Sequence, residues 1–278
     1  MATGLALHIG LNSVNPKHYG GWAGELNACE ADAQDMAGIA KSKGFKITTY
    51  LTRAATRARV MGQIKKAAKS LKSGDIFLLS YSGHGGQLPD MNTDEPDAQD
   101  ETWCLYDGEM VDDELYALWG KFAPGVRILV FSDSCHSGSV TKQAYYRGVM
   151  SAGGAGAGSR EVKYRFMPPD VALKTYRKNK SFYDKILRNK SLKESPAAVK
   201  ATVLLVSGCQ DNQLSSDGDF NGLFTGQLLR VWKNGAFKGD YKKFHQAIVK
   251  RMPPDQTSCY FVVGAGNPKF EGQRPFTV

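Results

Sequence analysis

The sequence predicts an α/β fold, with a mostly parallel sheet flanked by helices. Short β-branched or apolar runs recur at residues 5–10, 46–51, 76–81, 126–131, 201–207 and 260–263. Several lack polar alternation, as expected of strands buried on both faces of a parallel sheet. Stretches with helical spacing separate most of them, and this alternation is the one that builds parallel sheets. Two runs stop abruptly in glycines and small polar residues, SGHGG at 82–86 and SDSCHSG at 132–138. Ligands of open parallel sheets bind just past the carboxyl ends of such strands.

The elements follow in order. A first strand at 5–10 leads into a Gly- and Asn-rich loop at 12–24. Asn27 with Glu30 three residues on predicts a capping box, opening a helix that runs to about Lys43 and stops at Gly44. Residues 46–51 form a β-branched strand. Val60, Met61, Ile64, Ala67, Ala68 and Leu71 give helical spacing over 56–71. After the strand at 76–81, residues 87–101 read as an acidic loop and 102–106 as a short strand or hairpin arm. Val111-Asp112-Asp113-Glu114 opens a helix reaching about Phe122, because first-turn acids complement the helix dipole. Beyond the strand at 126–131, a Gly-rich tract at 148–158 predicts flexibility. Pro168-Pro169 interrupts the chain, and 174–193 read as a solvated helix. Amphipathic helices are predicted at 223–232 and 241–252.

Composition bounds the function. The 278 residues are 42% hydrophobic, without an apolar run of membrane-spanning length. The amino-terminal apolar run lacks a preceding basic region, so it reads as a strand and not as a signal peptide. Cys29, Cys104, Cys135, Cys209 and Cys259 lack CxxC spacing. An odd, scattered set argues against a disulfide framework or zinc site and for a reducing cytoplasm. Residues 142–200 carry 14 Lys and Arg against 4 Asp and Glu, a net of +10, while the whole chain carries +9. The basicity belongs to one segment, which excludes a whole-surface nucleic-acid footprint.

The candidate chemistry lies in residues 127–139, RILVFSDSCHSGS. Cys135 stands where a reactive group belongs, past a strand end. His84 stands past the end of another strand, and two parallel strands place both on one sheet edge. An imidazole activates a thiol by taking its proton. Neighbouring strand residues point to opposite faces, so His84 and not His136 is the expected base. The Gly85 and Cys135 N–H groups are the expected oxyanion donors. Asp133, two residues before Cys135, is an obstacle, since a like charge raises a thiol pKa. A substrate cation, the side chain of an Arg or Lys beside the scissile bond, would offset it. The other four cysteines read as structural.

SGHGG followed 51 residues later by DSCHSG, with SGCQDNQ at 207–213 and NGLFTGQLL at 221–229, resembles the caspase-like cysteine peptidases, specifically the metacaspase branch. The Gln-Ala-Cys motif of animal caspases is absent. The resemblance implies a caspase-like three-layer sandwich in one domain: a large-subunit-like region (1–141), a basic linker or insert (142–200) and a small-subunit-like region (201–278). It implies a thiol protease that cleaves peptide or protein substrates after Arg or Lys, through a pocket mapped onto Cys29, Asp32, Ser82 and Asp133. Cys29 and Asp32 share a helical face near a helix start. No cofactor is needed for the chemistry. Calcium is expected as an activator, with Asp100, Asp112 and Asp113 at the family's ligand positions, because Ca²⁺ takes several oxygen ligands. The acid that often follows the nucleophile is missing here, where the chain reads SVTKQAYY. Self-cleavage is expected in the basic segment, where Arg147, Arg160, Lys163 and Arg165 are the candidate P1 residues. The expected protein is a cytoplasmic monomer without membrane or nucleic-acid partners. The alternative is a non-catalytic scaffold that binds partners or nucleic acid through the basic segment.

Overall fold

The computed structural model describes residues 2–89, 91, 99–134, 163–189, 191–192, 199–208, 217–218, 220–253, 256 and 258–278. Its strands are β1 (Gly4–Gly10), β2 (Lys46–Leu51), β3 (Ile76–Ser82), β4 (Gly85–Pro89), β5 (Gln99–Leu105), β6 (Gly108–Val111), β7 (Arg127–Asp133), β8 (Thr202–Ser207) and β9 (Cys259–Gly264). The helices are α1 (Cys29–Ser42), α2 (Arg57–Ser70), α3 (Asp112–Trp119), α4 (Pro169–Lys178), α5 (Lys180–Leu187), α6 (Leu223–Trp232), α7 (Tyr241–Val249) and α8 (Pro268–Glu271). Six strands form one sheet in the order β2-β1-β3-β7-β8-β9, parallel except for β9. A separate antiparallel sheet, β4-β5-β6, stands after β3.

The period of two along the central strands divides the core between the two faces of the sheet. Leu7, Ile9, Phe77, Leu79, Ile128 and Val130 pack under Val60 and Ile64 of α2 and Leu115 and Leu118 of α3. The alternate residues Ala6, Leu78, Leu129 and Phe131 pack under Met36 and Ile39 of α1, Phe224 and Leu228 of α6, and Phe244 of α7. Each of the Val, Leu, Ile, Met and Phe side chains among them, removed from water, contributes roughly 1.5–3 kcal/mol. Register then aligns the carboxyl ends: Gly10 lies opposite Ser82, Ser82 opposite Asp133, and Ser132 opposite Ser207. A Cβ on Gly10 would lie 2.2 Å from the Cys29 carbonyl oxygen, so only glycine lets α1 begin against the end of β1.

Four details differ from the expectations. The capping box of Asn27 and Glu30 does not form, and α1 starts after Ala28 without a side-chain cap. Asp217 replaces it, its carboxylate accepting from the Asn27 and Ala28 N–H groups, while Glu30 takes a hydrogen bond from Thr52. Residues 87–89 and 99–101 belong to β4 and β5 and are not loop, since Gln87 pairs with Glu101 and Leu88 with Asp100. The solvated helix at 174–193 is two helices, α4 and α5, the first opening at Pro169. Tyr183 and Leu187 are buried against Leu88 and Val111, an apolar face that the surrounding lysines obscure in sequence. Finally, Arg165 is no exposed linker residue: it is 0% exposed. Residues 148–158 lie outside the described residues. Among the described residues, no helix is long and apolar enough to cross a membrane.

Candidate active site

His84 sits in the turn between β3 and β4, and its backbone is held from two sides. The Tyr81 hydroxyl and the Cys104 N–H both donate to its carbonyl oxygen, at 2.7 and 2.9 Å. Tyr81 is itself fixed by stacking on Trp103, with ring centroids 4.4 Å apart. The His84 ring packs on Trp22 and hydrogen-bonds through Nε2 to the Gly24 carbonyl oxygen at 2.9 Å. A carbonyl oxygen can only accept, so Nε2 carries the proton and Nδ1 carries the lone pair. Nδ1 finds no hydrogen-bond partner among the described residues. Burial lowers the pKa to about 4, against a smaller upward pull from the Gly24 carbonyl. The imidazole is therefore neutral at pH 7 and free to accept a proton at Nδ1.

By register, Ser82 and Asp133 lie opposite each other at the ends of β3 and β7. His84 and Cys135 each follow that pair by two residues. Cys135 and His136 lie outside the described residues, as do Cys209, Arg147 and Arg160. Cys29 and Cys104 are buried free thiols and Cys259 is half-buried. Burial pushes the Cys29 thiol up to about 12, so it stays protonated.

Asp32, Ser82 and Asp133 converge on one guanidinium, that of Arg165. Nη2 is 2.8 Å from Asp32 Oδ2, and Nη1 is 2.9 Å from both Asp133 Oδ2 and the Ser82 hydroxyl. A third carboxylate, Asp217, lies 2.9 Å from Nη2. The acids are held in turn: Thr225 donates to Asp133 through its N–H and its hydroxyl, and the Gly222 N–H donates to Asp32. Asn221 Nδ2 donates to Asp32 as well. A Cβ on Gly222 would lie 2.4 Å from the Arg165 guanidinium, so the pocket wall must be glycine there.

Three carboxylates around one cation leave a net negative, dry pocket. Burial raises the Asp32 pKa to about 6, Asp133 adds repulsion, and Arg165 pulls the other way. The acids around Arg165 hold its guanidinium firmly charged, overcoming burial. Without a cation, three buried carboxylates would face one another, a state costing several kcal/mol per unpaired charge.

The backbone around Arg165 is held as firmly as the side chain. The Gly85 N–H donates to the Arg165 carbonyl oxygen at 3.0 Å, and the Met167 N–H donates to the Gly85 carbonyl at 2.7 Å. On the other side the Asp217 N–H donates to the Lys163 carbonyl at 2.8 Å.

Sequence reasoning missed Asp217, Gly222 and Thr225. Asp217 sits in a polar run, SSDGD, that has no periodicity to single it out. Gly222 and Thr225 lie within the quoted NGLFTGQLL, whose function no spacing reveals.

The acidic trio expected at a metal stands apart from this pocket. Asp100 is buried in β5, while Asp112 and Asp113 open α3. Burial, then Glu101, Asp100 and Asp113, push the Asp112 carboxyl well above the usual range. Among the described residues, no three or more His, Cys, Asp or Glu side chains converge in a metal-holding arrangement.

The six-stranded, mostly parallel sheet flanked by helices is similar to the caspase fold. The caspase domain, Peptidase C14, matches residues 3–275, and the chain belongs to that family, whose members are classed as cysteine-type endopeptidases, a group of hydrolases. It is 31% identical over 274 residues to metacaspase-1A of Aspergillus terreus, covering 87% of this chain and 65% of that protein. With metacaspase-1 of Kluyveromyces lactis it shares 30% identity over 254 residues, covering 80% of this chain and 56% of that protein. The chain thus spans less than two thirds of the length of these relatives. The crystal structure of protein GSU0716 from Geobacter sulfurreducens superposes with a TM-score of 0.90 at 64% identity, covering 99% of both chains. Caspase-1 from Spodoptera frugiperda superposes with a TM-score of 0.56 at 11% identity, covering 95% of this chain and 86% of that one, a likeness of fold.

Proposed function

We propose that this chain is a cysteine endopeptidase that cleaves peptide bonds after Arg or Lys. Cys135 is the nucleophile. His84 takes the thiol proton at Nδ1, the nitrogen left open when Nε2–H is committed to Gly24. The thiolate attacks the carbonyl carbon after the P1 residue, and the Gly85 N–H donates to the developing oxyanion. The proton on His84 passes to the leaving amine. Water then hydrolyses the thioester and restores the thiol.

One observation carries the specificity: a guanidinium sits among Asp32, Asp133 and Asp217 at 2.8–2.9 Å from each. A pocket with that charge binds Arg or Lys and repels Asp or Glu. Fluorogenic peptides that differ only at P1 test this. Turnover confined to Arg and Lys supports the reading, and efficient turnover after Asp removes it.

Calcium activation belongs to the same reading. Beyond burial, the charges of Glu101, Asp100 and Asp113 push the Asp112 pKa up, and a cation such as Ca²⁺ among these acids would relieve that repulsion. We also propose a monomer in the cytoplasm, where the free thiols of Cys29, Cys104 and Cys259 stay reduced.

A further inference from the structure

We propose that a single buried water beneath the acidic pocket, held by Ser80 and aligned through His8, sets the preference between Lys and Arg at P1. This rests on the peptidase reading above and deepens it: the acids admit a basic residue, and the layer under them chooses which one.

The floor of the pocket is polar where the core is otherwise apolar. His8 and Ser80 lie opposite each other on β1 and β3, two residues before the row in which Gly10 faces Ser82 and Ser82 faces Asp133. Both are buried, on the face of the sheet that Ala6, Leu78 and Phe131 give to the core. The His8 ring is 0% exposed and bonds through Nδ1 to the Ser80 hydroxyl at 2.7 Å. Its Nε2 has no hydrogen-bond partner among the described residues. Burial lowers the His8 pKa to about 3, so the ring is neutral and carries one proton. Buried N–H groups find partners more strictly than acceptors do, which puts that proton on Nδ1. Nδ1–H then donates, the Ser80 oxygen accepts, and the Ser80 proton is turned away from His8.

Ser80 also lines a cavity of about 10 Å³ that it shares with Asp32, Ser82, Asp133 and Thr225, and that Met36, Phe224 and Leu228 help to close. That is room for one water, which needs roughly two to four polar partners. The Ser82 and Thr225 hydroxyls have committed their protons to Asp32 and Asp133. Among the described residues Ser80 bonds to His8 and to neither acid directly, so its proton and the two carboxylates meet through the water. An arginine reaches the acids without that bridge: in Arg165 one guanidinium nitrogen serves Asp32 and Asp217 and the other serves Asp133. A lysine ammonium is a single compact nitrogen with three donors, and it does not repeat that spread. The acid it leaves short takes a hydrogen bond from the water instead, so the water supports P1 Lys more than P1 Arg. Ser80 is thus a specificity residue, and His8 is the positioning residue behind it.

The test uses the full chain carrying Arg165→Gln, which leaves the acids without their guanidinium, and compares kcat/KM for coumarin peptides with P1 Lys and P1 Arg. Adding Ser80→Ala should lower the Lys-to-Arg ratio at least about fivefold, the worth of one hydrogen bond, whereas a general loss of packing would lower both rates alike. His8→Asn, whose amide N–H stands in for Nδ1–H, should keep the ratio, and His8→Leu should move it in the direction of Ser80→Ala. A ratio in Ser80→Ala within about twofold of its parent overturns the proposal and leaves the peptidase reading standing. Should Ser80→Ala fail to fold, nitrogen-15 NMR of the wild-type chain decides. His8 is expected to stay neutral and protonated at Nδ1 from about pH 5 to 8, and a proton on Nε2 overturns the proposal. Absence of turnover of both peptides by the Arg165→Gln parent overturns this proposal and the peptidase reading together.

Discussion

Asp133→Asn removes one charge from the pocket while keeping the side chain's shape. In the folded chain Asp133 Oδ2 lies 2.9 Å from the Arg165 guanidinium and accepts two hydrogen bonds from Thr225. Asn retains an oxygen for Thr225, so the lost quantity is the charge assistance to the cation. Such a contact in a dry pocket is worth about 1.5–3 kcal/mol, or about 10- to 150-fold in kcat/KM for P1 Arg. Folding should survive, because Asp32 and Asp217 still oppose the guanidinium. Asp133 is also one cause of the raised Asp32 pKa, so its neutralisation lets Asp32 ionise more readily. Arg165 occupies the pocket and the same change weakens its hold, so both proteins compared carry Arg165→Gln. The assay is kcat/KM for peptides with P1 Arg, Lys, Gln and Asp. P1 Arg should fall by the stated factor, Gln should change little, and the discrimination against Asp should shrink. Asp133→Asn that cleaves after Arg within about twofold of its parent, less than 0.5 kcal/mol, would refute the charge argument.

Three further outcomes follow from the structure. Gly222→Ala should depress P1 Arg turnover and lower the melting temperature, since its Cβ would lie 2.4 Å from the guanidinium; overpacking of this kind costs about 1–3 kcal/mol, and unchanged turnover contradicts the pocket wall. Glu109 is buried, its Oε1 has no hydrogen-bond partner among the described residues, and burial raises its pKa from 4.5 to about 7. The folded state then holds a proton that the unfolded state has lost, so this group lowers stability as pH rises from 4.5 to about 7. Glu109→Gln should therefore gain up to roughly 3 kcal/mol over wild type at pH 8.5 and little at pH 4.5, read by chemical denaturation at both; a gap independent of pH contradicts this. Chelator should slow turnover and millimolar calcium restore it, with Asp112→Ala blunting the response; full activity in chelator would reduce the acidic cluster to surface charge.

The legible and illegible parts divide along a physical line. β1, β3, β7, β8 and α6 were readable because a strand or helix buried on one or both faces writes its period into consecutive residues. The position of His84 was readable because glycines and small polar residues interrupt an apolar run where the chain leaves the sheet. The α1 cap was not, because Asp217, distant in sequence, replaces the local Asn27 and Glu30. The docking of α5 was hidden by lysines on its solvent side, although Tyr183 and Leu187 face inward. Asp32 and Asp133 entered through resemblance and charge logic, and Asp217 through neither. Least legible was the role of Arg165. One arginine among many in a basic segment carries no local mark, and only the fold reveals that three acids surround it.

The central claim is tested most directly by a covalent peptide inhibitor with Arg at P1, followed by peptide mapping. Protein carrying Arg165→Gln, which leaves the acidic pocket without its guanidinium, should take up a single adduct, at Cys135, and lose its peptidase activity in step with labelling. Cys135→Ala should take up none and show no turnover, while the matching inhibitor with P1 Asp should leave the enzyme untouched. Labelling at another residue, or turnover by Cys135→Ala, would contradict the account.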